Sequence, residues 1–125
     1  MPELLITVEE LTFKADLNES PTAEKIWEAL PIEGQANLWG KEIYFEIPVS
    51  MPQEANAREE VAIGTIAYWP TGEAFCIFFG PTPVSKGEHP RAYSPVNILG
   101  KIVGDLSGLK AVQQGAKVRL QKAEG

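Results

Sequence analysis

The chain has 125 residues, of which 44% are hydrophobic and 22% are charged, and this length and composition predict one compact domain. Its formal net charge of −6 would repel a phosphate backbone, so nucleic acid is excluded as an expected partner. The first ten residues do not resemble a signal peptide, and no apolar stretch approaches the roughly 20 residues that span a bilayer. We therefore expect a cytosolic protein without a membrane partner.

Short strands and two short helices are predicted along the chain. Ser20 and Pro21 form an N-cap and first helical turn, and Pro31 ends the apolar residues that recur at helical spacing. Asp105 can cap a second short helix, which Gly115 would end. Alternating or apolar runs bounded by turn residues predict strands at 4–8, 11–15, 35–39, 43–48, 61–69, 73–79, 96–103 and 117–120.

Two segments lack such a pattern. Residues 50–60 are polar, and residues 80–95 contain four prolines in sixteen residues, which predicts a long loop. Long loops in compact domains often carry function, so 80–95 is the first place to look for a site. About eight strands joined mainly by hairpins favour a mostly β fold, namely a closed or nearly closed barrel with two short helices.

The most apolar strand, 73–79, has two faces. If Phe75 and Ile77 point into the barrel, strand alternation directs Cys76 and Phe78 outward, beside Trp69 of the neighbouring strand. Cys76 is the only cysteine, and its apolar surroundings predict a buried thiol rather than a nucleophile.

This outer apolar face needs a cover, and two alternatives remain open. A helix or the loop 80–95 could cover it, in which case its role is structural. Otherwise it forms an aromatic ligand groove with Arg58, His89 or Tyr93 as a polar anchor.

Residues 72–79, Gly-Glu-Ala-Phe-Cys-Ile-Phe-Phe, resemble the cyclophilin strand Gly-Ser-Gln-Phe-Phe-Ile-Cys-Thr. Residues 99–103, Leu-Gly-Lys-Ile-Val, are similar to the cyclophilin segment Phe-Gly-Lys-Val-Val. Segments 39–45, 66–70 and 76–83 further resemble a compact bacterial and archaeal family of cyclophilin-like proteins whose biochemical role is unassigned. The resemblance covers nearly the whole chain and implies a cyclophilin-like barrel without a cofactor.

The catalytic residues of cyclophilins match poorly. Cyclophilins use an arginine on an early strand to donate to the prolyl nitrogen, and the early strands here contain none. Cys76, Ala74 and Trp69 stand where the cyclophilin proline pocket has phenylalanine, glutamine and alanine. Arg58 could replace the arginine, and His89 resembles the pocket histidine, although either could be a solvated loop residue.

Two functions follow as hypotheses. The first is a binding module that holds a small molecule or an extended peptide, with or without proline, beside Trp69, Cys76 and Phe78. The second is a divergent peptidyl-prolyl isomerase with Arg58 and His89 in its site. The single histidine and the scattered carboxylates give no hydrolase triad and no metal-ligand spacing, so neither chemistry is expected.

Overall fold

A computed structural model describes residues 2–123, and these residues form ten strands, one α-helix and one 3₁₀ helix. The fold is therefore mostly β, as predicted. The strands are β1 Glu3–Val8, β2 Leu11–Leu17, β3 Ile32–Gln35, β4 Asn37–Trp39, β5 Glu42–Glu46, β6 Arg58–Glu60, β7 Thr65–Trp69, β8 Ala74–Phe78, β9 Arg91–Val103 and β10 Lys117–Lys122. The α-helix α1 is Pro21–Ala29, and the 3₁₀ helix is Ser107–Ala111.

All strands belong to one antiparallel arrangement. The hydrogen-bonded order is β3-β10-β1-β2-β9-β7-β8-β5-β4, and β6 pairs with β9 outside this path. Among the described residues no ladder joins β3 to β4, so the sheet is open and the predicted barrel closure is not confirmed. These two end strands are nevertheless consecutive in the chain, separated by Ala36, whose backbone N–H donates to the Ala116 carbonyl at 2.8 Å.

The strand count of ten exceeds the predicted eight because β3 and β6 carry no apolar alternation. β3 reads Ile-Glu-Gly-Gln and β6 reads Arg-Glu-Glu, so pairing with β10 and β9, rather than side-chain pattern, defines them. The predicted hairpins at 4–15 and 35–48 are present as β1–β2 and β4–β5. The predicted strand 61–69 is shorter, since β7 begins only after Gly64, which has a φ of 95°.

Helix α1 begins as its sequence predicts. The Ser20 hydroxyl accepts a hydrogen bond from the Ala23 N–H at 3.2 Å, and Pro21 occupies the first turn. Ala23 and Ile26 are buried against the sheet. The second predicted helix is a single 3₁₀ segment, preceded by an Asp105 carboxylate that accepts from the Ser107 N–H at 3.0 Å.

The segment 80–95 was predicted to lack regular structure, and this is wrong for its end. β9 begins at Arg91 and runs through Pro95. Proline is tolerated there because residues before Val96 pair only with the short β6, and the register shifts within that pairing. The loop between β8 and β9 therefore ends before Arg91.

Strands β7 and β8 lie between β9 and β5, so they are central as predicted. Phe75 and Ile77 enter the main core, whereas Cys76 and Phe78 face a separate apolar group on the opposite side. We call this group the second cluster; its buried members are Val61, Ala67, Cys76, Phe78, Ala92 and Val96. The predicted alternation is thus confirmed. The outward face of β8 is covered by the first residues of β9 and by Val61, which follows β6.

Candidate ligand-binding cleft

A cleft of about 190 Å³ opens above the second cluster. The β4–β5 hairpin, the end of β7 and the first part of β9 build its walls. Its lining residues are Trp39, Glu42, Tyr44, Trp69, Ala92, Tyr93 and Val96. Four of these seven side chains are aromatic, and they come from β4, β5, β7 and β9. β4 and β5 form one hairpin, whereas β7 and β9 are distant from it in the sequence.

The aromatic rings form a chain of edge-to-face contacts. The Trp69 ring centroid lies 6.3 Å from that of Tyr44 and 6.2 Å from that of Tyr93, with interplanar angles of 81° and 79°. Tyr93 in turn lies 6.1 Å from Trp39 at 73°. Such near-perpendicular pairs are favourable for aromatic quadrupoles. Because successive rings turn by almost a right angle, they form the sides of a box rather than a flat patch.

Trp69 is the central ring and is held from two sides. Its indole Nε1 donates to the Ser94 hydroxyl oxygen at 2.6 Å, which ties the end of β7 to the start of β9. On the other side the ring lies against Gly72, where a Cβ atom would overlap the indole. These two contacts fix the orientation of the ring, while Tyr93 at the rim remains 72% exposed.

Glu42 is the acidic residue of the cleft. It is paired with Phe78 across β5 and β8, and only 6% of its surface is exposed. Within residues 2–123 its Oε1 is the one buried side-chain oxygen or nitrogen that has no hydrogen-bond partner. Burial raises the pKa of Glu42 from 4.5 to about 7, and the nearby Cys76 thiol offsets part of this rise. The cleft therefore contains a carboxyl group that can hold or release a proton near neutrality.

Two of the predicted binding residues, Trp69 and Tyr93, line the cleft. The other two, Cys76 and Phe78, are completely buried in the second cluster and are not among the lining residues. Burial raises the pKa of the Cys76 thiol well above its ordinary value, in agreement with the expected inert thiol.

The two residues predicted for an isomerase site lie elsewhere. Arg58 is exposed on β6, and His89 is exposed in the segment that precedes β9. Neither is among the residues that line the cleft. A catalytic role for this pair stays a prediction.

Sequence reasoning missed Glu42, Trp39 and Tyr44 as site residues. A usable signal existed for Glu42: strand alternation places it on the same face as Tyr44, opposite Ile43 and Phe45. That face pairs with the outward face of the apolar strand β8. A glutamate paired with such a strand is either exposed at the edge of the sheet or buried, and a buried carboxyl group needs a polar or charged partner.

Other site types are not supported within the described part of the chain. Residues 2–123 contain no group of three or more histidine, cysteine, aspartate or glutamate side chains that could hold a metal ion. In the same range no helix has the length and apolar character needed to cross a membrane.

The fold and the sequence together define the class of this protein. A family model described as Cyclophilin-like matches residues 2–121, so the chain belongs to the cyclophilin-like family.

Among solved structures, the chain is similar to the solution structure of a hypothetical protein from Archaeoglobus fulgidus, with 41% identity and a TM-score of 0.84. That match covers 98% of this chain and 95% of the other. A more distant similarity, with 18% identity and a TM-score of 0.68, is to McbB in complex with tryptophan; it covers 98% of this chain and 45% of McbB, and it indicates a shared fold. No curated protein matches the chain.

Proposed function

We propose that this protein is a binding module that holds a small molecule, or one side chain of an extended peptide, in the cleft around Trp69. The observation that carries the proposal is the combination of four aromatic walls with one largely buried carboxyl group that lines the same cleft. Ligand sites are typically apolar concavities with a few placed polar groups. Burial disfavours the ionised form of this carboxyl group, and a ligand that donates to it or carries a positive charge would offset that cost.

The size of the cleft limits what it can hold. Sites for drug-sized ligands usually measure roughly 300–1,000 Å³. The cleft measures about 190 Å³, so it suits a compact group rather than a complete cofactor. Because Tyr93 at the rim is largely exposed, the remainder of a longer ligand can extend into solvent.

The complex of McbB with tryptophan suggests tryptophan as one probe for a binding experiment. At 18% identity the similarity concerns the fold, so it does not transfer a ligand or a set of contacts. Tryptophan combines an aromatic ring with an ammonium group, and both have complementary groups in the cleft. It is therefore included among the probes below.

Nuclear magnetic resonance of the tryptophan indole N–H groups tests the proposal. The chain has three tryptophans, and two of them, Trp39 and Trp69, line the cleft. Trp27 lies on α1, where the Lys122 ammonium sits 4.9 Å from its ring centroid, and serves as an internal reference. Titration with tryptophan, small amines, small alcohols and a short proline peptide should shift the Trp39 and Trp69 signals and leave Trp27 unchanged.

Two variants complete the experiment. Trp69→Leu should lose most of the binding because it removes the central ring, whereas Trp27→Phe should bind like the wild type. The proposal is wrong if no probe shifts the Trp39 and Trp69 signals, or if Trp69→Leu binds every probe with unchanged affinity.

A further inference from the structure

The cleft is an acidic environment without a compensating cation. Glu42 is the only charged side chain among the described residues that line it. Arg91 precedes the lining residue Ala92 in the chain, and its guanidinium is bound to the Glu59 carboxylate at 2.5 Å. Lys41 precedes Glu42 in the chain, but its side chain packs against Gly80. The negative end of the site is therefore left for a ligand.

We propose that the cleft recognises a protonated amine that carries small alkyl groups and at least one N–H, with the N–H donated to Glu42 and the alkyl groups enclosed by the aromatic rings. The proposal rests on the function proposed above and names the ligand class for the same site. The shared chemistry is an alkylammonium group, which a free small amine or a modified lysine side chain can both supply.

The aromatic box provides the first half of the recognition. A cation within about 6 Å of a Trp or Tyr ring centroid is attracted by the ring quadrupole, and cages of several aromatic rings bind alkylammonium groups in this way. The rings of Tyr44, Trp69, Tyr93 and Trp39 are each 6.1–6.3 Å from the next ring in the chain. The cleft beside these rings has a volume of about 190 Å³, which leaves room for a compact group.

Glu42 provides the second half, and it explains why an N–H is required. A quaternary ammonium supplies only a charge to the Glu42 carboxylate, whereas an ammonium N–H supplies the charge and a charge-assisted hydrogen bond to the part of the carboxylate that lines the cleft. The net charge of −6 over the chain also favours the approach of cations over anions.

The site should also respond to pH. In the free protein the pKa of Glu42 is about 7, and a bound cation would stabilise the ionised form and lower that pKa. The other titratable groups that face Glu42 are the Cys76 thiol from β8, the Tyr44 phenol from its own strand and the Tyr93 phenol from β9. Affinity for an ammonium group should therefore rise as the pH increases through about 7, and it should fall again only at the higher pH where the amine itself loses its proton.

Three probes of nearly equal shape separate the contribution of the positive charge from that of the N–H. Dimethylethanolamine, protonated near neutrality, has both the charge and an N–H. Choline has the charge alone, and 3,3-dimethylbutan-1-ol has neither. We expect about tenfold tighter binding at each step from the alcohol to choline to the protonated amine, since each step adds roughly one cation–π or charged hydrogen-bond contribution. Calorimetry at about pH 8 measures the three affinities.

Glu42→Gln should remove the advantage of the protonated amine over choline and abolish the pH dependence. Glu46→Gln is the matched control, because Glu46 lies on the same strand and face but is exposed. It should leave both properties unchanged. A peptide carrying dimethyllysine, compared with free dimethylethanolamine, shows which source of the alkylammonium group is preferred, and tighter binding of either supports the ligand class.

The outcomes separate the two proposals. If the neutral alcohol binds as tightly as both amines, or if affinity falls as the pH increases through about 7, the ammonium proposal is overturned while the cleft remains a binding site. If none of the three probes binds but tryptophan or a proline peptide shifts the Trp69 signal, the ammonium proposal also fails alone. If no probe of any class binds, both proposals fail.

Discussion

Two buried polar residues lie on neighbouring regions of the same sheet, and their surroundings are opposite. Asn97 on β9 is fully buried, and every polar atom of its side chain is bonded: Oδ1 accepts from the Glu54 N–H at 2.8 Å, and Nδ2 donates to the Thr22 hydroxyl at 3.1 Å and the Pro52 carbonyl at 3.0 Å. Glu42 on β5 is buried almost as deeply, yet its Oε1 has no partner among residues 2–123.

The difference separates a polar residue that joins parts of the fold from one that lines a cleft. Asn97 on β9 connects that strand to α1 and to the segment before β6, so its hydrogen bonds hold three parts of the fold together. Burial of Glu42 disfavours its ionised form, and the Cys76 thiol offsets only part of this cost. Under the binding function proposed above, a bound cation would offset more of it.

The largest expected effect is the loss of the Asn97 network. Asn97→Ala should lower the free energy of unfolding by about 4 kcal/mol, because it leaves several buried partners without a hydrogen bond. Urea unfolding measures the change, and Asn56→Ala, in an exposed turn, is the control. A loss below about 1 kcal/mol would show that water replaces the network. In that case the hydrogen bonds of Asn97 do not stabilise the fold, and Asn97 and Glu42 do not differ in this respect.

A smaller effect is expected from the pH response of Glu42. Its pKa is raised from 4.5 to about 7, so between these values the folded chain holds a proton that the unfolded chain has released. The free energy of unfolding should therefore fall by on the order of 3 kcal/mol as the pH increases from about 4.5 to about 7.

Glu42→Gln lacks this titration, so unfolding curves of the variant and the wild type at about pH 5 and about pH 8 isolate it. The variant should become the more stable of the two at the higher pH. If the free energies of unfolding of the wild type and of Glu42→Gln change equally with pH, Glu42 is ionised in the free protein. Its burial would then carry no cost, and the comparison with Asn97 would be wrong.

The smallest expected effect concerns the wall of the cleft. Ser94→Ala removes the acceptor of the Trp69 indole N–H and should cost about 1 kcal/mol of stability, since the half-buried indole can regain part of the bond from water. The Trp69 indole signal should move in the magnetic resonance spectrum. Ser50→Ala, at an exposed position, is the control and should leave that signal in place.

The fold was largely predictable because its signals are local. The Ser20 cap and the alternation in β1, β2, β5 and β8 each identify their own element without reference to the rest of the chain. The resemblance of residues 72–79 and 99–103 to cyclophilins added the family. β3 and β6 were not predictable in this way, because hydrogen bonds to distant strands define them and their side chains carry no alternation. The strand count and the question of closure depend on those same distant pairings.

The site was predicted only in part, for a related reason. Trp69 was predicted as a large ring beside an apolar face and Tyr93 as a polar anchor, and both line the cleft. Cys76 and Phe78 were assigned to the correct face, but the first residues of β9 cover them, and a proline-rich segment gave no sign of forming that strand. Glu42 was missed because a glutamate in a strand is usually exposed. Strand alternation places it on the face of Tyr44, but only the register with Phe78 shows that this face is buried there.

The two ends of β9 contribute to different parts of the molecule. Its later residues pair with β2 and β7, and Leu99 and Ile102 enter the main core, while Gly100 runs so close to the Asp16 carbonyl that no larger residue fits. Its first residues pair only with β6 and carry Ala92 and Tyr93 to the cleft. Substitution of the exposed Tyr93 would therefore change the wall of the cleft without disturbing the main core, whereas substitution of Gly100 would disturb the pairing of β9 with β2.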